Sequence, residues 1–153
     1  MRRFASWLLA AAPFVYGCAT KCDMTRWPDE LNNPNMTVSF FDGSANGYVF
    51  SVGNVEYRPV KREESSSGRY SGGEPFKRAI DAPTYAKIAN AMNAAIDAKA
   101  THIQNRTMLS GVISIRCGDA SRDWIIAPGS AELSAIEELM DELKAGGTGS
   151  SPR

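Results

Sequence analysis

Apolar positions change period several times along this chain, and each change marks an element. From Met36 to Val60, β-branched and aromatic residues come in short runs broken at Asp42-Gly43, Asn46-Gly47 and Gly53-Asn54. This predicts three consecutive strands, Met36 to Phe41, Tyr48 to Val52 and Val55 to Val60, the last two joined by a Gly-Asn turn that tolerates positive φ. From Pro83 to Lys99 the spacing becomes three and four, through Tyr85, Ile88, Ala89, Met92, Ala95 and Ile96. That is the signature of a helix with an Ala-rich inner face. Asp81 is its expected N-cap, Pro83 suits its first turn, and Lys87, Asn90, Asn93 and Asp97 fall on the opposite, solvent-facing side.

Two further strands, Gly111 to Cys117 and Arg122 to Ala127, form a second hairpin through residues 118–121. Ser130 then caps a helix whose stripe is Leu133, Ile136, Met140 and Leu143, ending near Gly146. The expected fold is α+β: a mainly antiparallel sheet of about five strands in the order βββ-α-ββ-α, with both helices packed on one face. The length suits a single core, placed at residues 36–145, and residues 146–153 read as a disordered Gly/Ser/Pro tail.

Ahead of the domain lies a different pattern. Arg2 and Arg3 precede an apolar stretch from Phe4 to Val15, followed by Val15-Tyr16-Gly17-Cys18. The stretch is too short to span a bilayer, which takes roughly 20 apolar residues, and its three-part layout is that of an export signal. Here the chain resembles a bacterial prolipoprotein: Val15, Gly17 and Cys18 match the lipobox, while Tyr16 is larger than the residue usual at its position. The resemblance covers residues 1–18. It implies removal of a signal peptide, residues 1–17, and acylation of Cys18, palmitate included, which leaves a lipid-anchored tether over residues 18–35. Ala19 is not the Asp that marks inner-membrane retention in the sorting rule of enteric bacteria. The outer membrane is therefore the expected location in a cell with two membranes.

The chain has three cysteines. Ordinary signal cleavage would leave an odd number in an exported protein, whereas lipidation removes Cys18 from the count and leaves Cys22 and Cys117 as one possible disulfide. Only three residues separate Cys18 from Cys22, a reach of about 14 Å, so such a bridge would hold the domain against the membrane. With both thiols unpaired, the linker from Cys18 to Met36 would extend to about 60 Å.

Charge narrows the partners. Loss of Arg2 and Arg3 takes the basic count from 17 to 15 against 17 acids, a mature net charge of −2. Nothing in that balance suits nucleic acid, whose phosphates demand dense Lys and Arg.

Ser65 to Gly73 is the one segment outside the predicted core with distinctive chemistry: four serines and three glycines surround Arg69 and Tyr70 in the middle. It reads as a mobile loop or weak edge hairpin in which Arg69 and Tyr70 are the candidate binding residues. It is not a phosphate loop, because Gly73 is followed by Glu74-Pro75 where Lys and a hydroxyl are needed. His102 is the single histidine, and a polar residue just past a helix end has an ordinary structural use. No cofactor is implied, and no metal: two cysteines and one histidine lack zinc-site spacing, and Asp119-x-Ser121-x-Asp123 has Trp124 where a calcium loop needs Gly. The expected function is a non-catalytic envelope lipoprotein that binds an envelope protein or other envelope component through a sheet edge or the Ser65–Gly73 loop. The alternatives are a small hydrolase using His102 or a purely structural envelope protein.

Overall fold

The structure, a computed structural model, describes residues 35–51 and 53–146. The expected signal peptide, Cys18, Cys22 and the expected tail beyond Gly146 lie outside the described residues. Among the described residues, six strands form one antiparallel sheet: β1 (Met36–Phe41), β2 (Gly47–Ser51), β3 (Asn54–Arg58), β4 (Phe76–Ala79), β5 (Gly111–Cys117) and β6 (Ala120–Ile126), in spatial order β4-β3-β2-β1-β5-β6. Two helices, α1 (Ala82–Asp97) and α2 (Ala131–Ala145), complete the α+β architecture. No helix among the described residues is long and apolar enough to cross a membrane.

The strand count is six rather than about five, and the addition is β4. Its inner-face residues are Phe76 and Arg78, with the Arg78 guanidinium 4.6 Å from the Phe76 ring centroid. The two hairpins also differ in detail. Ser51 pairs with Asn54, so Asn54 belongs to β3 and Gly53, at φ 66°, supplies the turn. Cys117 pairs with Ala120, which leaves only Gly118 and Asp119 in the second turn.

Alternation sets which face is covered. Met36, Val38 and Phe40 of β1 are buried while Thr37, Ser39 and Phe41 are half-exposed, as the period of two requires. Along the covered face the register aligns Phe40, Tyr48, Tyr57 and Phe76 as a cross-strand aromatic row, with ring centroids 6.3, 4.8 and 5.2 Å apart. Cross-strand aromatic neighbours of this kind are favourable beyond their area alone. Ile88, Met92 and Ala95 of α1 and Leu133, Ile136 and Met140 of α2 close the core over that face. The two helices also pack on each other, and Ala89 and Ala95, both fully buried, keep α1 close. Caps form as the sequence implies: Asp81 Oδ1 accepts from Thr84 N at 2.8 Å and Ser130 Oγ from Leu133 N at 3.3 Å.

The register gives the sheet two distinct ends. Met36 sits opposite Cys117, beside the Gly53 turn and the Gly118-Asp119 turn. Phe41 sits opposite Gly47 and Val112. At this second end lie the 42–46 turn, the long 59–75 connection, the 103–110 segment and the approach to α2.

Candidate functional site

The Phe41 end is organised by two residues of the β1–β2 turn. Asp42 Oδ1 accepts from Ser44 N and Asn46 N, each at 2.9 Å, which folds the turn and holds Ala45 at φ 69°. Asn46, only 1% exposed, then spends its amide on other segments. Its Nδ2 donates to Asp42 Oδ2 at 2.7 Å and to the Tyr70 hydroxyl at 2.8 Å, and its Oδ1 accepts from Val60 N at 3.0 Å. Every hydrogen on the amide is therefore used, as a buried polar group requires.

These bonds latch the 59–75 connection onto the sheet. Gly72 N donates to Val60 O at 3.0 Å and the Tyr57 hydroxyl donates to Gly72 O at 2.6 Å. A Cβ at Gly72 would fall 1.9 Å from Asn46 Oδ1, so glycine is what lets the strap approach so closely. A single 3-10 turn, Arg62–Glu64, is the only regular structure in the segment. Between strap and sheet lies a groove of about 720 Å³, lined among others by Phe41, Gly47, Arg58, Lys61, Arg62 and Glu74. Its size is that of a ligand or peptide cleft. Arg58 Nε is paired with Glu56 Oε1 at 2.7 Å on an exposed surface, an arrangement that contributes little to stability.

Behind the strap, α2 delivers Lys144 to the tyrosines, with its Nζ 4.6 Å from the Tyr57 ring centroid and 6.0 Å from that of Tyr48. Burial pushes the Tyr57 hydroxyl above its ordinary range, with Lys144 pulling the other way. Tyr48 is raised further, chiefly by burial. Burial disfavours the Lys144 ammonium, but the Tyr57 hydrogen bond and the charge of Asp42 outweigh it and leave Lys144 above the usual lysine value. The result is a charged lysine held by neutral phenols.

A second, smaller pit of about 200 Å³ opens on the other side of the 42–46 turn, between Asp42, Gly43, Tyr48, Leu109, Glu137 and Asp141. Burial, then the nearby charges of Asp42 and Asp141, holds the Glu137 carboxyl above the usual glutamate range, and the Gly43 N–H offsets part of this. Leu109 brings the 103–110 segment to its rim. Arg106 Nη2 donates to Asp42 O at 3.0 Å, and Ser110 Oγ both donates to Thr107 O at 2.7 Å and accepts from Thr107 N at 3.1 Å. Leu109 has φ 64°, a conformation costing a leucine about 1–2 kcal/mol, and its Cα would be 2.6 Å from any Cβ at Gly43. Met108 is 86% and Leu109 61% exposed.

Of the residues singled out in the sequence, Tyr70 is 39% exposed but its hydroxyl is committed to Asn46. Arg69 is exposed, and its side chain has no hydrogen-bond or ion-pair partner among the described residues. The segment expected as a mobile loop or weak edge hairpin forms no strand and belongs to an irregular strap tied at Val60, Tyr70 and Gly72. His102 Nε2 lies 2.9 Å from Ala95 O, and its backbone bridges to Ile126. None of its hydrogen bonds among the described residues reaches a serine hydroxyl or a carboxylate. Asp119 lies in the β5–β6 turn, and Ser121 and Asp123 lie in β6. No group of three His, Cys, Asp or Glu suited to a metal occurs among the described residues. Cys117, 8% exposed, ends β5 opposite Met36.

Asn46, Lys144, Met108 and Leu109 went unmarked in the sequence. The Asn46-Gly47 pair registered there only as a strand break. No protein-family model matches the chain, and no curated protein matches it in sequence.

Proposed function

We propose that this chain is a lipid-anchored lipoprotein of the bacterial cell envelope, held by Cys18 in the outer membrane where the cell has two. Its domain is a non-catalytic module that binds an envelope protein through the strap and groove at the Phe41 end. The observation that carries this reading is placement. The tether would join the domain at Met36, and the strap lies at the opposite end of β1, a strand length of roughly 20 Å away. A module anchored at one end and carrying its preformed cleft at the other presents that cleft away from the bilayer.

Cys117 supports the same geometry. It lies beside Met36 at the anchored end, and thirteen residues between Cys22 and Met36 leave ample chain for a Cys22–Cys117 bridge. That bridge would shorten the leash to three residues and fix the orientation.

Between sheet edge and strap, the strap is favoured. Edge strand β4 is short, follows Pro75 and carries Lys77, features that discourage strand addition. On β6 the half nearest the Phe41 end is taken by Ile103 N, which donates to Ile125 O at 3.0 Å, and by the His102 bridge. Two-fold pairing of β6 with itself about its middle would set Arg122 against Arg122 or Asp123 against Asp123, and like charges opposed across a ladder are destabilising.

The test is photo-crosslinking in intact cells from position 69, on the strap, and from position 119, at the anchored end, alongside palmitate labelling of wild type and Cys18→Ser. The reading expects labelling that depends on Cys18 and a defined protein adduct from 69 and not from 119. An unlabelled wild type overturns the anchor. An adduct pattern reversed between the two positions overturns the orientation.

A further inference from the structure

The strap leaves one feature of the Phe41 end unused: Met108 and Leu109, two large apolar side chains held out in solvent by a segment that is otherwise fully tied down. Arg106 fixes the segment to the Asp42 carbonyl, Thr107 and Ser110 close it on itself, and Gly43 seats the Leu109 backbone. Leucine is a poor choice for φ 64° and for 61% exposure alike, since glycine or asparagine would fit the backbone and a polar residue the solvent. Rigid presentation of an apolar pair at a conformational cost is the physical profile of a contact residue, because an ordered loop loses little entropy when a partner covers it.

What lies beside the pair selects the partner. The 200 Å³ pit that Leu109 borders holds the carboxyl groups of Asp42, Glu137 and Asp141. The Asp42 oxygens are occupied by Ser44 and Asn46, Glu137 takes only the Gly43 N–H from the turn, and Asp141 is exposed at the mouth. Lys144 lies one turn further along α2 and is engaged with the tyrosines. Arg106, the one cation of the 106–110 knob, is held against the Asp42 carbonyl, and the three carboxyl groups outnumber it, so the arrangement disfavours anionic phosphate surfaces, lipid or nucleic acid.

We propose that the 106–110 knob and the adjoining pit form a docking surface for a protein segment that carries a Lys or Arg flanked by apolar residues, with the cation entering the pit and the apolar side chains covering Met108 and Leu109. The surface is separate from the strap groove, so this proposal stands whether or not the groove is used and whether or not Cys18 is acylated.

The probe is a displayed random 12-residue peptide library selected against the domain beginning at residue 19, with binding of the recovered peptides measured at low and moderate salt. Three variants keep the readout free of misfolding: Met108→Ser, Leu109→Gly, which relieves the backbone and should raise Tm, and Asp141→Lys on the exposed rim. The proposal expects selected peptides rich in Lys or Arg beside apolar residues. Each variant should weaken their binding at least tenfold, with Asp141→Lys also flattening the salt dependence. It is overturned if the selected peptides lack basic residues, if none depends on Met108 and Leu109, or if the domain binds vesicles containing phosphatidylglycerol through the same two residues. A wild-type dimer in size-exclusion chromatography that Leu109→Gly converts to monomer would make a second copy the occupant, and would also overturn it.

Discussion

Asn46→Ala should be the most informative single change at the Phe41 end. It removes three side-chain hydrogen bonds at once, one of them to the Asp42 carboxylate at 2.7 Å. A bond to a charged group contributes about 1.5–3 kcal/mol and a neutral one about 0.5–1.5. The Tyr70 hydroxyl and Val60 N–H are partly exposed and can recover water, so the expected loss lies toward the low end, about 3 kcal/mol. With a urea m-value of about 1.5 kcal/mol/M, the midpoint should fall by about 2 M at unchanged m. Hydrogen exchange should show protection lost at Val60 and Gly72, the amides that tie the strap, and retained in β5. Tyr70→Phe alone should cost about 1 kcal/mol, and combined with Asn46→Ala it should add almost nothing, because the shared bond is already gone. A midpoint shift under about 0.5 M, or full additivity of the two changes, would refute the latch. Asn46→Asp sharpens the test: it sets a buried carboxyl against the Asp42 carboxylate, so its deficit should be greatest at neutral pH and shrink as the new carboxyl is protonated.

Three other outcomes follow from the geometry. Glu137 is raised by burial and by Asp42 and Asp141, so it favours folding below the ordinary glutamate value of roughly 4.3 and loses that contribution as pH rises through its raised folded value. Glu137→Gln should therefore match wild type in acid and exceed it at pH 7, as read by urea midpoints across that range; the opposite trend would mean that the carboxylate is stabilised in the fold. Gly111→Ala would place a methyl 2.3 Å from Leu133 Cδ1 and 3.1 Å from Phe40 Cε2. Overpacking of about 1–3 kcal/mol should lower Tm, and Leu133→Val in the same chain should recover part of it. Peptide mapping of exported protein under non-reducing conditions should find Cys22 joined to Cys117. Reduction should then destabilise the domain by up to about 4–5 kcal/mol, the chain-entropy value for a loop near a hundred residues, whereas recovery of both as unmodified thiols would remove the short leash.

Elements whose burial is decided by their own residues were legible in the chain. β1 and β5 run from Met36 to Phe41 and from Gly111 to Cys117 as their β-branched and aromatic content indicates, and α1 buries Tyr85, Ile88, Ala89, Met92 and Ala95 as their spacing requires. β4 was not legible, because its covered face is Phe76 and Arg78: an arginine serves as inner-face material by laying its guanidinium on the phenylalanine ring. Pattern reading assigns such a residue to solvent, so the strand disappears into the polar loop before it.

The candidate site divides along a different line. Residue type identifies which side chains are able to bind, and the fold decides which of them are already bound. Tyr70 was picked for its chemistry, yet Asn46 claims its hydroxyl from 24 positions away; Asn46, read locally as a turn former, becomes a buried hub only because Val60 and Tyr70 return to it. What remains available is set by subtraction. Arg69 keeps its guanidinium on the strap surface, and Met108 and Leu109 keep their apolar surface on the neighbouring rim, the latter in a backbone state that no sequence pattern announces. The rigid part of this end is thus built from the residues that look polar and functional, and the contact surface from the residues left over once that framework is satisfied.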